Sequence, residues 1–216
     1  MSRIFDKIKH VNTDDNWRAK YRLGDAYFCK NTAWNHLDRD RFEDTIGGDY
    51  VRQMGENGKR SAPNLSLIKK IVNEHIIKHN YKLPEDNELV IHYRLGDRTY
   101  VKQKRTKYDT IEPDINTTIN KINKLYNQIN ANKITIVTAW HINLNRKKHI
   151  LTDKQLEDTS FLERLIERLK EKNVDILSQE KPDADFCYLV KAKGLVTTCG
   201  YFSKLANLCN SNSISL

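Results

Sequence analysis

The sequence contains no apolar run approaching the roughly 20 residues that a membrane-spanning helix requires. It also lacks a signal-peptide pattern, because its start, MSRIFDKIKH, is too short and too charged for one. Both absences lead to the expectation of a cytoplasmic protein whose membrane contacts are peripheral. Cysteine is scarce: Cys29, Cys187, Cys199 and Cys209 form no CxxC pair and match no zinc spacing. Buried free thiols in a reducing compartment are expected. Glycine and proline number only 8 and 4. Gly47, Gly48, Gly55, Gly58 and Pro63 nevertheless gather in one stretch, so residues 39–63 read as loops. No nucleic-acid-binding module or aromatic single-strand platform is present, so nucleic acid is not an expected partner. The net charge of +9 then describes either a solvated lysine-rich surface or affinity for other anions, phosphates above all. The densest basic run, Lys102 to Lys107, is short.

What is present fits one sizeable α/β domain or two small lobes in 216 residues. Residues 1–20 are polar and read as weakly structured. Arg22-Leu23-Gly24-Asp25 is a turn signal leading into a helix over 26–37. Leu65, Ile68, Ile71, Val72 and Ile76 recur at helical spacing and predict a helix over 65–79. Beyond Pro84 the pattern changes to strand alternating with helix. Strands are expected at 88–93, 134–138, 174–177 and 195–198, with a terminal edge strand at 213–216. Helices are expected over 115–129 and from Ser160, where Glu163 completes a capping box. Two more are expected: one capped by Asp183 or Asp185 and stopped at Gly194, and one over 202–209. Such alternation predicts βαβ units in a Rossmann-like, mostly parallel sheet with flanking helices over 86–216. Residues 1–85 then form a small, largely helical N-terminal lobe. Ligands of such sheets bind beyond the carboxyl ends of the strands.

The first clear strand ends in His92-Tyr93-Arg94-Leu95-Gly96-Asp97. Alternation along a strand puts His92 and Arg94 on one face. Arginine grips phosphate with a planar fork, and Gly96 permits a sharp exit with close approach of the backbone to a ligand. Asp97 caps the turn, positions the basic residues or acts as a base. These residues describe an anion-binding strand exit, or an ordinary turn with an Arg94–Asp97 salt bridge.

HYRLGD resembles the HxRxGD signature of the GDP-fucose-dependent fucosyltransferase superfamily. Asp185 to Thr198, followed by Cys199-Gly200-Tyr201-Phe202-Ser203, resembles that family's later segment. There an acidic residue opens a helix, a strand follows, and the turn ends in a Phe-Ser pair. The likeness covers roughly residues 88–210. It implies a GT-B-like donor domain and an inverting glycosyltransferase that requires no metal or other cofactor. It also implies a nucleotide-sugar donor, GDP-sugar favoured, and a glycan acceptor. Carried over, Arg94 binds the diphosphate, His92 orients the nucleotide and Asp185 contacts the base. Thr198, Tyr201, Phe202 and Ser203 line the ribose and phosphates with Gly96. Leu95 departs from the pattern, since several members carry a second arginine there.

The pentapeptide Tyr21 to Asp25 repeats Tyr93 to Asp97. Arg22, Gly24 and Asp25 resemble the glycine-rich loop that opens family members on the acceptor side, or they form a turn by coincidence. Asp25, Asp97, Glu43 and Asp44 are candidates for the base that an inverting transfer requires, Asp25 first. His75 and His79 have metal-binding spacing on a helix but no third ligand, and read as surface or boundary histidines. Asp183-Ala184-Asp185 has the form of a DxD motif, read here as helix capping. Trp140 and His141 follow a strand and flank the cleft or pack. Two other classes remain open: a non-catalytic nucleotide- or glycan-binding domain of the same fold, and a basic nucleic-acid-associated protein.

Overall fold

The structure, a computed structural model, describes residues 8, 10–12, 27, 44–54, 64–95, 115–142, 153–179, 181–197, 201–210 and 213–215. In chain order its elements begin with β1 (His10–Asn12), α1 (Ile46–Met54), α2 (Leu65–His79) and β2 (Glu88–His92). Next come α3 (Ile115–Gln128), β3 (Lys133–Val137), β4 (Trp140–Ile142) and α4 (Asp153–Arg168). The last are β5 (Asn173–Leu177), α5 (Pro182–Lys191), β6 (Gly194–Thr197), α6 (Tyr201–Cys209) and β7 (Ser213–Ser215).

Five strands make the main sheet in the order β5-β3-β2-β6-β7, and every neighbouring pair is parallel. The chain builds from β2 outward through β3 to β5. It then returns to the other side of β2 for β6 and β7. Numbered from its first strand, this is the 3-2-1-4-5 order of doubly wound sheets. The expected α/β architecture with a Rossmann-like parallel sheet and flanking helices is therefore observed.

Both faces of the sheet are covered, which is why its central strands read as apolar runs without polar alternation. Leu89, Ile91, Ile134, Ile136 and Val196 pack with Ile119, Ile122 and Leu125 of α3 and with Phe161 and Leu165 of α4. On the other face Val90, Val137 and Leu195 meet Ile46 and Tyr50 of α1 and Ile68 and Val72 of α2. Phe186 of α5 and Leu205 of α6 belong to the same cluster. Packing is thus continuous across residues 85 and 86, because α1 and α2 form part of the layer that covers β2.

Gly194 opens β6 where a side chain would collide. A Cβ there would lie 2.7 Å from Ile129 Cδ1 and 3.1 Å from Leu89 Cδ1. The helix before it ends at Lys191, so Gly194 serves strand–helix packing and not the helix stop expected of it. Gly194→Val is expected to cost about 1–3 kcal/mol by overpacking, read as a lower urea midpoint at unchanged slope.

Other expectations are corrected. Residues 39–63 are not all loop, because α1 lies within them. Two glycines weaken that helix by roughly 1 kcal/mol each, but tertiary contacts offset this. The Thr45 hydroxyl caps it by accepting from Gly48 N–H at 3.0 Å, and buried Asp183 accepts from Ile46 N–H at 3.0 Å through Oδ2. The buried Tyr50 hydroxyl accepts from Asn64 N–H at 3.1 Å. Neither Asp183 nor Asp185 caps its own helix: α5 follows Lys181 without a side-chain cap, and Asp183 serves α1 instead. Ser160 lies inside α4, which starts seven residues earlier on good helix formers. Residues 10–12 are not unstructured but pair in parallel with Trp140–Ile142 as a two-stranded sheet. His75 is no surface residue. It is 1% exposed, and its Nε2 is bound to the Asp49 carboxylate, while His79 Nε2 lies 3.0 Å from Asp44 Oδ1. Cys187 and Cys209 are buried free thiols, and burial pushes both up to about 12.

Candidate functional site

The strand order reverses between β2 and β6, so their carboxyl ends border the crevice where doubly wound sheets take ligands. His92 closes β2 and is paired in register with Thr197 at the end of β6. Tyr93 and Leu95 both belong to the cluster under α3 and α4, and Tyr93 stacks on Phe161 with ring centroids 5.7 Å apart. Alternation therefore leaves His92 and Arg94 to the opposite face. That is the face covered by α6, which begins just beyond β6.

Three of the expected site residues meet there. His92 Nδ1 and Ser203 Oγ are hydrogen-bonded at 2.7 Å, both groups buried. The His92 ring also packs on Phe202 at 5.4 Å, and Phe202 meets Phe186 edge-on at 5.3 Å. His92 is held by a hydroxyl on one side and an aromatic pair on another, so its ring orientation is fixed before any ligand arrives. Ser203 is 1% exposed and spends its hydroxyl on His92. Tyr201, the first residue of α6, is exposed, and Arg94 is partly buried.

Asp185 stands in the first turn of α5, beyond the carboxyl end of β5. Acidic residues at a helix N-terminus are favoured by the aligned peptide dipoles. The residue is partly buried, and Gln179 Nε2 donates to its Oδ1 at 3.0 Å. Burial pushes the Asp185 carboxyl up to about 8, against the pull of the Gln179 hydrogen bond. Two residues earlier, burial pushes Asp183 up to about 6, opposed by the Ile46 hydrogen bond and nearby His75. Strongly raised carboxyls at the mouth of a parallel sheet mark a site candidate.

Gly96, Asp97, Thr198, Arg22, Gly24, Asp25 and Glu43 lie outside the described residues, as do the 26–37 helix (Tyr27 excepted) and Lys102 to Lys107. Asp44 is described: it is exposed, and its carboxylate is held below the usual range chiefly by a hydrogen bond from Lys78. Sequence reasoning missed Gln179 and Phe186. Gln179 was findable, because it follows a strand end, where ligand-facing residues gather. Phe186 read only as part of an apolar helix. Among the described residues no group of three or more His, Cys, Asp or Glu is placed to hold a metal ion. No helix among them is long and apolar enough to cross a membrane.

No protein-family model matches this chain, and no curated protein matches it in sequence. Among solved structures it is similar to the crystal structure of POFUT1 in complex with GDP. The TM-score is 0.39 and the identity 12%, over 68% of this chain and 46% of that one. The chain thus spans just under half the length of the structure it matches.

Proposed function

We propose that the chain is a glycosyltransferase that takes a sugar, fucose favoured, from a GDP-sugar held at the crevice between β2 and β6. One observation carries the reading. His92 of HYRLGD and Ser203 of the second resembling segment are 111 positions apart in sequence, yet hydrogen-bonded at 2.7 Å. They meet where the strand order reverses.

In this reading Arg94 grips the diphosphate and offsets the charge that builds on it as the glycosidic bond breaks. Fixed positive charge lowers that barrier without a metal ion. Gly96, Thr198 and Tyr201 border the phosphates and ribose. Ser203 and Phe202 act through His92, whose ring they orient towards the nucleotide. Asp185 accepts from the base. Asp25 or Asp97 takes the proton of the acceptor hydroxyl as it attacks the anomeric carbon from the face opposite the leaving diphosphate. Arg22 and Gly24 accompany Asp25 in the acceptor-side loop of residues 1–85.

The test is a thermal-shift screen against GDP, UDP, TDP and their sugars. GDP ligands are expected to raise the melting temperature most, through preferential binding to the folded state. Arg94→Ala is expected to weaken GDP binding by about 10- to 100-fold, the worth of a charge-assisted contact, with the fold retained in the absence of ligand. Equal GDP-sugar binding by the wild type and this variant sinks the reading.

Leu95 favours a second reading. The position where several family members place an arginine is here fully buried in the core under α3 and α4. A non-catalytic nucleotide-binding domain would bind GDP without donor hydrolysis or transfer across a panel of acceptors.

A further inference from the structure

We propose that Gln179 is a positioning residue for base recognition. Its amide fixes one oxygen of Asp185 and presents the carboxylate as an acceptor for a base with adjacent N–H donors, the pattern of guanine. The inference rests on the donor-site reading above and deepens it.

Gln179 lies in the connection from β5 to α5, on the carboxyl side of the sheet. Its Nε2 donates to Asp185 Oδ1 at 3.0 Å across six positions. Among the described residues this is the one side-chain partner of that carboxyl. The other charged groups nearby are engaged elsewhere. Asp183 Oδ2 accepts from Ile46 N–H, and Asp44, Asp49 and His75 act electrostatically on Asp183. His92 and Ser203, from β2 and α6, are bound to each other. Lys181 at the start of α5 is exposed. No described cation stabilises Asp185 as an anion, so that task falls to the Gln179 amide.

The two protonation states of Asp185 read different bases. An ionised carboxylate offers only acceptors and suits guanine, whose N1–H and N2–H₂ lie side by side. A neutral carboxyl offers one donor and one acceptor, the complement of adenine N1 and N6–H₂. A hydrogen bond to the charged form favours that form. Gln179 therefore tilts the site towards guanine, and its removal tilts it towards adenine.

The experiment measures GDP and ADP affinity from pH 6 to 9 for the full chain and for Gln179→Met. For the wild type, GDP affinity is expected to climb with pH and level off above about 8, where Asp185 titrates. In Gln179→Met that plateau moves to higher pH. GDP affinity at pH 7 falls about tenfold, which is one unit of displacement, the deficit narrows towards pH 9, and discrimination against ADP shrinks. Gln179→Glu keeps the shape but sets a second carboxyl against Asp185, and is expected to move the plateau further up than Gln179→Met does. An equal loss at every pH, or no change, overturns the inference. Failure of the wild type to bind GDP overturns the donor reading instead. A carboxyl-carbon NMR titration of Asp185 without ligand then decides the Gln179 contact by itself: an upward displacement in Gln179→Met supports it, and an unmoved titration overturns it.

Discussion

Asp185→Asn is expected to make the protein more stable at neutral pH and, in the proposed donor site, to weaken nucleotide binding. Burial holds the Asp185 carboxyl at about 8 in the folded chain, against an ordinary value near 3.8. Between those values the folded chain keeps a proton that the unfolded chain releases. Stability is therefore full below about pH 4 and is lost as pH rises through 8, at up to about 1.4 kcal/mol per unit. The residue as a whole keeps some exposure, so a discounted cost of about 2 kcal/mol at pH 7 is the realistic figure. Asparagine has the same shape, keeps an oxygen for Gln179 and never ionises. Urea unfolding at pH 3.5, 6 and 7.5 is expected to give nearly equal stabilities at the lowest pH and a widening advantage for the variant above it. Parallel pH profiles would refute the prediction. A carboxyl kept at a cost to folding is what a binding role explains, because natural sequences accept instability where function requires it. In the proposed donor site the same variant places an amide donor where a guanine base needs an acceptor, so GDP affinity is expected to fall as the melting temperature rises.

The sheet was legible in the sequence because ELVIH and KITIV are short apolar runs with both faces buried, and each is followed by a helical period. The strand order was not legible, since nothing local says that β6 returns to the far side of β2. Helix α1 was hidden because IGGDY has poor helical propensity on its own. It is held by Asp183 from 137 positions away and by packing of Tyr50, which no local pattern encodes. Strands β1 and β4 escaped notice because three-residue strands carry no detectable alternation. At the site, HYRLGD stood at a strand end, but its residues alone fitted an ordinary turn equally well, and its resemblance to HxRxGD singled it out. Its partner Ser203 was chosen for resemblance, and only the three-dimensional arrangement makes it the anchor of His92. Tyr93 and Leu95 explain why the motif holds still: they are buried on the opposite face and pin the strand exit from below.

A second large effect is expected at the amino end of the central strand, where Glu88 and Tyr188 form a buried pair. Glu88 opens β2 and is completely buried. Tyr188 of α5 donates its hydroxyl to Oε1 at 2.6 Å, and Glu85 N–H donates to Oε2 at 3.0 Å. Lys133 Nζ stands 4.0 Å from Oε2. Burial alone would raise the carboxyl, but the surrounding donors outweigh it and hold Glu88 below its ordinary value. Burial and the neighbouring carboxylate push the Tyr188 phenol the other way. Tyr188→Phe leaves a buried carboxylate one donor short, for about 2 kcal/mol. Glu88→Ala removes the centre of the network and leaves a gap, for about 3–5 kcal/mol. Replacing both, as Glu88→Leu with Tyr188→Phe, is expected to cost less than the sum of the single changes. The coupling is about 1–3 kcal/mol, as for residues that share one network. Acid adds a second signature. A lowered carboxyl contributes stability that is present above its unfolded value near 4.5 and is lost as pH falls through the folded one. The wild type therefore loses stability relative to the Glu88 variants between about pH 5 and pH 3. Additive costs in the double variant, or identical acid profiles, would show that the pair contributes packing alone. This network ties β2 to α5 from the end of the strand opposite the crevice. Its weakening would loosen the two elements that carry His92 and Asp185 without touching either residue.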